Sequence, residues 1–154
     1  AFAALHGEPR LIIFGDGPES GALWALCAEL GLYSRVSFRG HCPREELAEA
    51  YAAADCFVLA SRSETFGVAY IEAMAAGLPV IATRCGGPED FVTEENGILI
   101  PVDDEDALTG AMEHMMLRRE DYDSAAISAD IRRKFAPETI AARLTELYEG
   151  VLSC

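Results

Sequence analysis

Five short apolar runs punctuate this chain, at residues 11–14, 36–38, 56–59, 80–82 and 98–100, and all but the second, where Ser37 intervenes, are continuous rather than alternating. An unbroken apolar run of that length suits a strand covered on both faces, the condition of a parallel sheet sandwiched by helices. Segments of helical period stand between the runs. Leu23, Leu26, Cys27 and Leu30 recur before Gly31, and Leu47, Ala50, Tyr51 and Ala54 share a face after Gly40. Gly77-Leu78-Pro79 stops a third helix before the fourth run. The alternation gives a doubly wound, Rossmann-like α/β fold. Beyond Pro101 the pattern is helical only, with Leu108, Met112, Met115 and Met116 as one packing stripe, and Ile140, Leu144, Leu147, Tyr148 and Val151 as another. Pro137 separates the last two helices, because proline is tolerated in a first helical turn. The 154 residues read as one domain, 1–154.

Composition removes several classes of function. A net charge of −14 with only 12 Lys plus Arg leaves no basic face for phosphate neutralisation, so nucleic acid is not an expected partner. Lys134 is the only lysine. The five cysteines, Cys27, Cys42, Cys56, Cys85 and Cys154, are odd in number and widely spaced, without CxxC, which fits a reducing cytosol better than a disulfide framework or a zinc site. No apolar stretch has the length of a membrane span. The expected location is cytoplasmic, with peripheral membrane attachment left open for a longer polypeptide. Asp103, Asp104, Glu105 and Asp106 read as acids complementing a helix dipole rather than as a metal cluster.

The chemistry concentrates between Ser61 and Thr83. From Glu64 to Arg84 the one charged side chain is Glu72, set in an apolar run that reads as buried, and a buried carboxylate needs a partner. Glu64 lies eight positions earlier in a polar loop, and Gly67 marks the start of the helix. Two acids framing a helix N-terminus suit a sugar nucleotide, with backbone N–H groups for phosphate and carboxylates for hydroxyls. A glycosidase pair is the rival. Helix rise of about 1.5 Å per residue carries Glu72 more than a turn into the helix, so the two acids address different ends of an elongated ligand. The Gly15-Asp16-Gly17 turn follows a strand, but Ser20 stands where GxGxxG needs its third glycine. It reads as a tight strand-to-helix connection or one wall of a phosphate pocket. Cys85-Gly86-Gly87-Pro88 clusters with the other loops at strand carboxyl ends, where ligands of open α/β sheets bind.

Glu64-Thr65-Phe66-Gly67 followed by Glu72-Ala73-Met74-Ala75-Ala76-Gly77 resembles the E-x7-E motif of retaining glycosyltransferase family 4, enzymes of two-domain GT-B architecture. Leu11 through Pro18, Phe38-Arg39-Gly40, Ala54-Asp55, Cys85 through Glu89 and Asn96 through Pro101 resemble the C-terminal, donor-binding half of such enzymes. The resemblance implies a nucleoside-diphosphate sugar as donor, and no cofactor or obligatory metal. It implies that Glu72 holds the ribose hydroxyls and that Glu64 acts catalytically on a donor-sugar hydroxyl. With Thr65 in the same loop, the amides of Phe66, Gly67 and Val68 would meet the sugar and diphosphate. The loop from Arg39 through Gly40 and His41 to Pro43 would line the base, and Gly15 and Gly17 would complete the substrate site.

The same resemblance implies a G-R…K-G strand and loop ahead of Ala1 and an N-terminal acceptor domain, so the domain reads as truncated at its N-terminus and inactive alone. In a strand order of 3-2-1-4-5-6 the lost strand is the central one. The Leu11 and Cys56 strands would then flank a gap, to be closed by the two strands themselves, by another chain filling the sheet, or by the rest of a longer polypeptide. Two other readings stay open: a non-catalytic Rossmann-like binding or assembly module, and a sugar-nucleotide epimerase-like enzyme.

Overall fold

The computed structural model describes residues 1–152; Cys154 lies outside the described residues. All five expected strands form: β1 (Leu11–Phe14), β2 (Val36–Gly40), β3 (Phe57–Leu59), β4 (Val80–Thr83) and β5 (Gly97–Ile100). Every ladder is parallel, with Leu11 opposite Val36, Phe57 opposite Val80, and Val80 opposite Gly97. The strands make two sheets rather than one, β1-β2 and β3-β4-β5. β1 does not pair with β3, so the first of the three ways of closing the gap is not the one adopted among the described residues.

Six helices accompany them: α1 (Ser20–Glu29), α2 (Arg44–Ala53), α3 (Val68–Ala75), α4 (Glu105–Arg118), α5 (Ser124–Phe135) and α6 (Pro137–Leu152). Their ends are set by local chemistry. Asp104 caps α4 by accepting from the Ala107 amide at 2.8 Å, and Asp123 caps α5 through the Ala125 and Ala126 amides at 2.9 and 3.0 Å. Such caps satisfy amides that have no partner inside the helix. The carboxyl end of α3 is closed from a distance: the Ser128 hydroxyl and the Arg132 guanidinium, both on α5, donate to Ala75 O.

The core belongs to the second sheet. All four residues of β4 are buried, and because successive strand residues face opposite ways, both faces are covered there. Tyr70, Ala73 and Met74 of α3, Met115 of α4, and Ile127 and Ile131 of α5 join the same cluster. Two expected packing stripes do not reach it. On α1 only Cys27 is buried, while Leu23, Leu26 and Leu30 stay between 43% and 49% exposed. On α6, exposure rises from 37% at Ile140 to 75% at Val151. Among the described residues no helix is long and apolar enough to cross a membrane.

Candidate functional site

The loop after β3 carries Glu64 and the loop after β4 carries Gly86 and Gly87, and backbone hydrogen bonds fasten the two together. The Glu64 amide donates to Cys85 O at 3.2 Å, and the Gly87 amide donates to Glu64 O at 2.8 Å. At Gly87 a β-carbon would lie 2.6 Å from both the α-carbon and the carbonyl oxygen of Phe66. No side chain fits there. The glycine pair, read in the sequence as turns beside a ligand crevice, is a close approach between two backbones.

Gly67 turns the chain into α3 with φ of +91°, a conformation costly for any residue with a β-carbon. Its carbonyl accepts from the Tyr70 and Ile71 amides at 3.0 and 3.3 Å. The first-turn amides, Val68 and Ala69, have no acceptor inside the helix and lie at the positive end of its dipole. The Phe66 amide, expected to face a ligand, instead donates to Glu64 Oε1 at 3.3 Å. Thr65, Phe66 and Val68 are exposed on the same loop, and Glu64 is half-buried.

Glu72 is exposed, contrary to the expectation of a buried carboxylate. The buried residues of α3 are Tyr70, Ala73 and Met74, and at about 100° per residue Glu72 falls on the opposite side from Tyr70. Apolar neighbours along a helical sequence are not its neighbours in space. Glu72 forms no ion pair among the described residues, so the requirement that a ligand rescue it from burial disappears, and its location alone speaks for a role. The Tyr51 phenol is pushed above its ordinary pKa first by burial, then by the Glu72 carboxylate, then by the Cys42 thiol. Glu72 and Cys42, the latter in the loop after β2, thus both act electrostatically on the Tyr51 phenol.

The remaining predicted residues sit on the first sheet. The Gly15 amide donates to Gly40 O at 2.7 Å, locking the ends of β1 and β2 together. The Gly17 amide is occupied within its own turn, donating to Asp16 Oδ1 at 2.8 Å and Ser20 Oγ at 3.1 Å. The Ser20 hydroxyl and then the Gly17 amide hold the Asp16 carboxyl below its ordinary pKa, and His41 adds a smaller pull in the same direction. This is the tight strand-to-helix connection, its glycine amide spent on the turn. Arg39 lines a groove of about 220 Å3 with Arg10, Tyr33 and Ser37, a groove that neither Glu64 nor Glu72 lines. The structure thus brings Glu64 through Val68 together with Gly86 and Gly87, and turns Arg39 to a separate groove.

Two of the acids at 103–106 are accounted for locally: Asp103 pairs with Arg62 at 2.8 Å and Asp104 caps α4. Lys134 pairs with Asp130 at 2.7 Å. Sequence reasoning placed Tyr51 on a packing face without giving it a place at the site, and passed over Phe135, whose ring meets Phe66 edge-on at 5.6 Å. No signal near position 135 announces a contact with position 66, sixty-nine residues away.

The family described as "Glycosyl transferases group 1" matches residues 1–131. Among curated relatives, a GDP-mannose-dependent alpha-mannosyltransferase of Mycobacterium tuberculosis (strain CDC 1551 / Oshkosh) is 37% identical over 150 residues, covering 96% of this chain and 38% of the relative. An N-acetyl-alpha-D-glucosaminyl L-malate synthase of Bacillus anthracis is 32% identical over 157 residues, covering 99% of this chain and 41% of the relative. The chain thus spans about two fifths of the length of these relatives. Among solved structures, a sucrose-phosphate synthase of Thermosynechococcus elongatus superposes with a TM-score of 0.80 at 31% identity, over 94% of this chain and 39% of that one. Anabaena HepE in complex with UDP-glucose superposes with a TM-score of 0.84 at 25% identity, over 97% of this chain and 43% of that one.

Proposed function

The chain belongs to the group 1 glycosyl transferases, and from that premise we propose that it is the C-terminal, donor-binding half of a retaining, GT-B enzyme of family 4 that moves a sugar from a nucleoside diphosphate to an acceptor. The observation that carries this reading is the fastened pair of loops at 64–67 and 85–87, which sets a carboxylate beside the N-terminus of α3. First-turn amides and the helix dipole favour a diphosphate there, and they stabilise charge as it develops on the leaving group. Glu64 is assigned to a donor-sugar hydroxyl and Glu72, exposed on α3, to the ribose diol. Transfer needs an acceptor-binding domain and cationic residues upstream, so the activity is that of a longer protein. The donor requires no metal in this scheme, and cysteine usage supports a cytoplasmic location. That relatives depend on GDP-mannose and that HepE binds UDP-glucose supports the donor class without choosing the base.

Calorimetry of the intact protein against UDP, GDP, ADP and their hexose conjugates tests this. One nucleotide should bind, and Glu72→Ala should weaken it about tenfold or more, the loss expected when hydrogen bonds to a charged group are removed. Indifference to every nucleotide would instead indicate an assembly module, and turnover of a sugar nucleotide without acceptor an epimerase-like enzyme.

A further inference from the structure

Phe66 is 48% exposed, yet it is held from two sides. On one side lies Gly87, with no room for a β-carbon. On the other side its ring meets Phe135, the last residue of α5, at 5.6 Å and 85° between planes. Phe135 also meets Phe91 edge-on at 5.9 Å and 88°. Phe91 is buried and ends the short turn that begins at Gly87. The contacts therefore close a ring: Phe66 to Gly87 by close backbone approach, Gly87 to Phe91 along the chain, Phe91 to Phe135 and Phe135 back to Phe66 by edge-to-face packing. Phe135 is the one member of this ring that neither loop supplies.

We infer that Phe135 is a positioning residue for the donor site: through Phe66 it fixes the backbone at 66–68 and the Glu64 carboxylate that accepts from the Phe66 amide. This rests on the donor-site reading above. Edge-to-face pairs have directional preference, so an aliphatic side chain of similar bulk keeps the apolar contact and loses the orientation. What that orientation serves is the position of amides facing diphosphate and sugar. Glu72 and Tyr51 are not members of the ring: Tyr51 reaches Phe91 through two intervening aromatic side chains, Phe57 and Tyr70, so nucleoside recognition should feel the loss of Phe135 less than the amides do. The junction between α5 and α6 is itself held, with the Thr139 hydroxyl donating to Arg133 O at 2.9 Å, so Phe135 sits on a fastened base.

The test uses the intact protein, the nucleoside-diphosphate hexose that it binds best and the matching nucleoside monophosphate. Phe135→Leu should weaken the sugar nucleotide about tenfold and leave the monophosphate within about twofold, a split that general loosening of the fold does not produce. Phe135→Tyr, which keeps the ring, should restore affinity. Phe66→Leu, at a half-exposed position that tolerates change, should give the same split, and the double variant should be no worse than either single one. Parallel loss of both ligands, or additive losses in the double variant, would overturn the proposal while leaving the donor-site reading in place. A wild-type protein that binds neither ligand would overturn both.

Discussion

The first forty residues and the stretch from Tyr51 to Ile131 carry the same kind of sequence and reach different degrees of burial. Both alternate apolar strands with helices of regular period. In the later region β4 is buried along its whole length and sixteen residues form one buried cluster. In the earlier one Leu5 and Cys27 are the buried apolar side chains, and α1 reaches β2 chiefly through Trp24 stacked on Phe38 at 4.6 Å. Apolar pattern confers a capacity for burial, and only a covering element realises it. A three-stranded sheet with α3, α4 and α5 packed on it has that cover; the two-stranded sheet with α1 leaves Ile12, Leu23, Leu26 and Leu30 about half-exposed.

The contrast breaks most readily in the core. Ile81→Ala should cost about 2–5 kcal/mol, as for other fully buried aliphatic truncations, and Leu26→Ala, at a half-exposed site, under about 1 kcal/mol. Urea unfolding of both variants decides it, and equal costs would mean that α1 is covered as thoroughly as β4. Next in size is Gly87→Ala. The added carbon has no room against the Phe66 backbone, so we expect about 1–3 kcal/mol of destabilisation, typical of overpacking, together with weaker binding of nucleoside-diphosphate sugars. Wild-type stability and affinity in this variant would remove the close approach from the site. The smallest effect lies at the surface of α5. There the Lys134 ammonium first, with Arg133 adding to it, holds the Asp130 carboxyl below its ordinary value of 3.8. A carboxyl with a depressed folded pKa stabilises above its unfolded pKa and loses that contribution as pH falls through the folded one. Asp130→Asn should therefore cost about 0.5 kcal/mol at pH 7, a surface ion pair's worth. The difference should close as pH falls below the ordinary 3.8 and on through the depressed folded pKa, where both states become protonated. A gap that persists in acid would assign the effect to helix packing instead.

Much of the fold was legible because its signals are local. All five strands lie where the apolar runs put them, Pro137 begins α6, and Asp104 caps α4 as acids at a helix start do. Gly67, read as a loop-to-helix junction, is the N-cap of α3. Glu72 went wrong for an instructive reason. Its burial was inferred from composition along the chain, although the helical period already set it opposite Tyr70. Arg39 was read as part of one loop with His41, whereas strand alternation turns its side chain to a groove over β1 and β2.

By itself, then, the sequence determined the order and type of the elements, their caps, and the placement of two glutamates about a helix start, since each depends on dihedral preferences and periodicities within a few residues. Tertiary structure alone decided that the strands divide into two sheets, that Gly87 lies against Phe66, and that Phe135 reaches back across the chain to meet it. Those facts depend on which distant segment covers which face, and no local pattern encodes that.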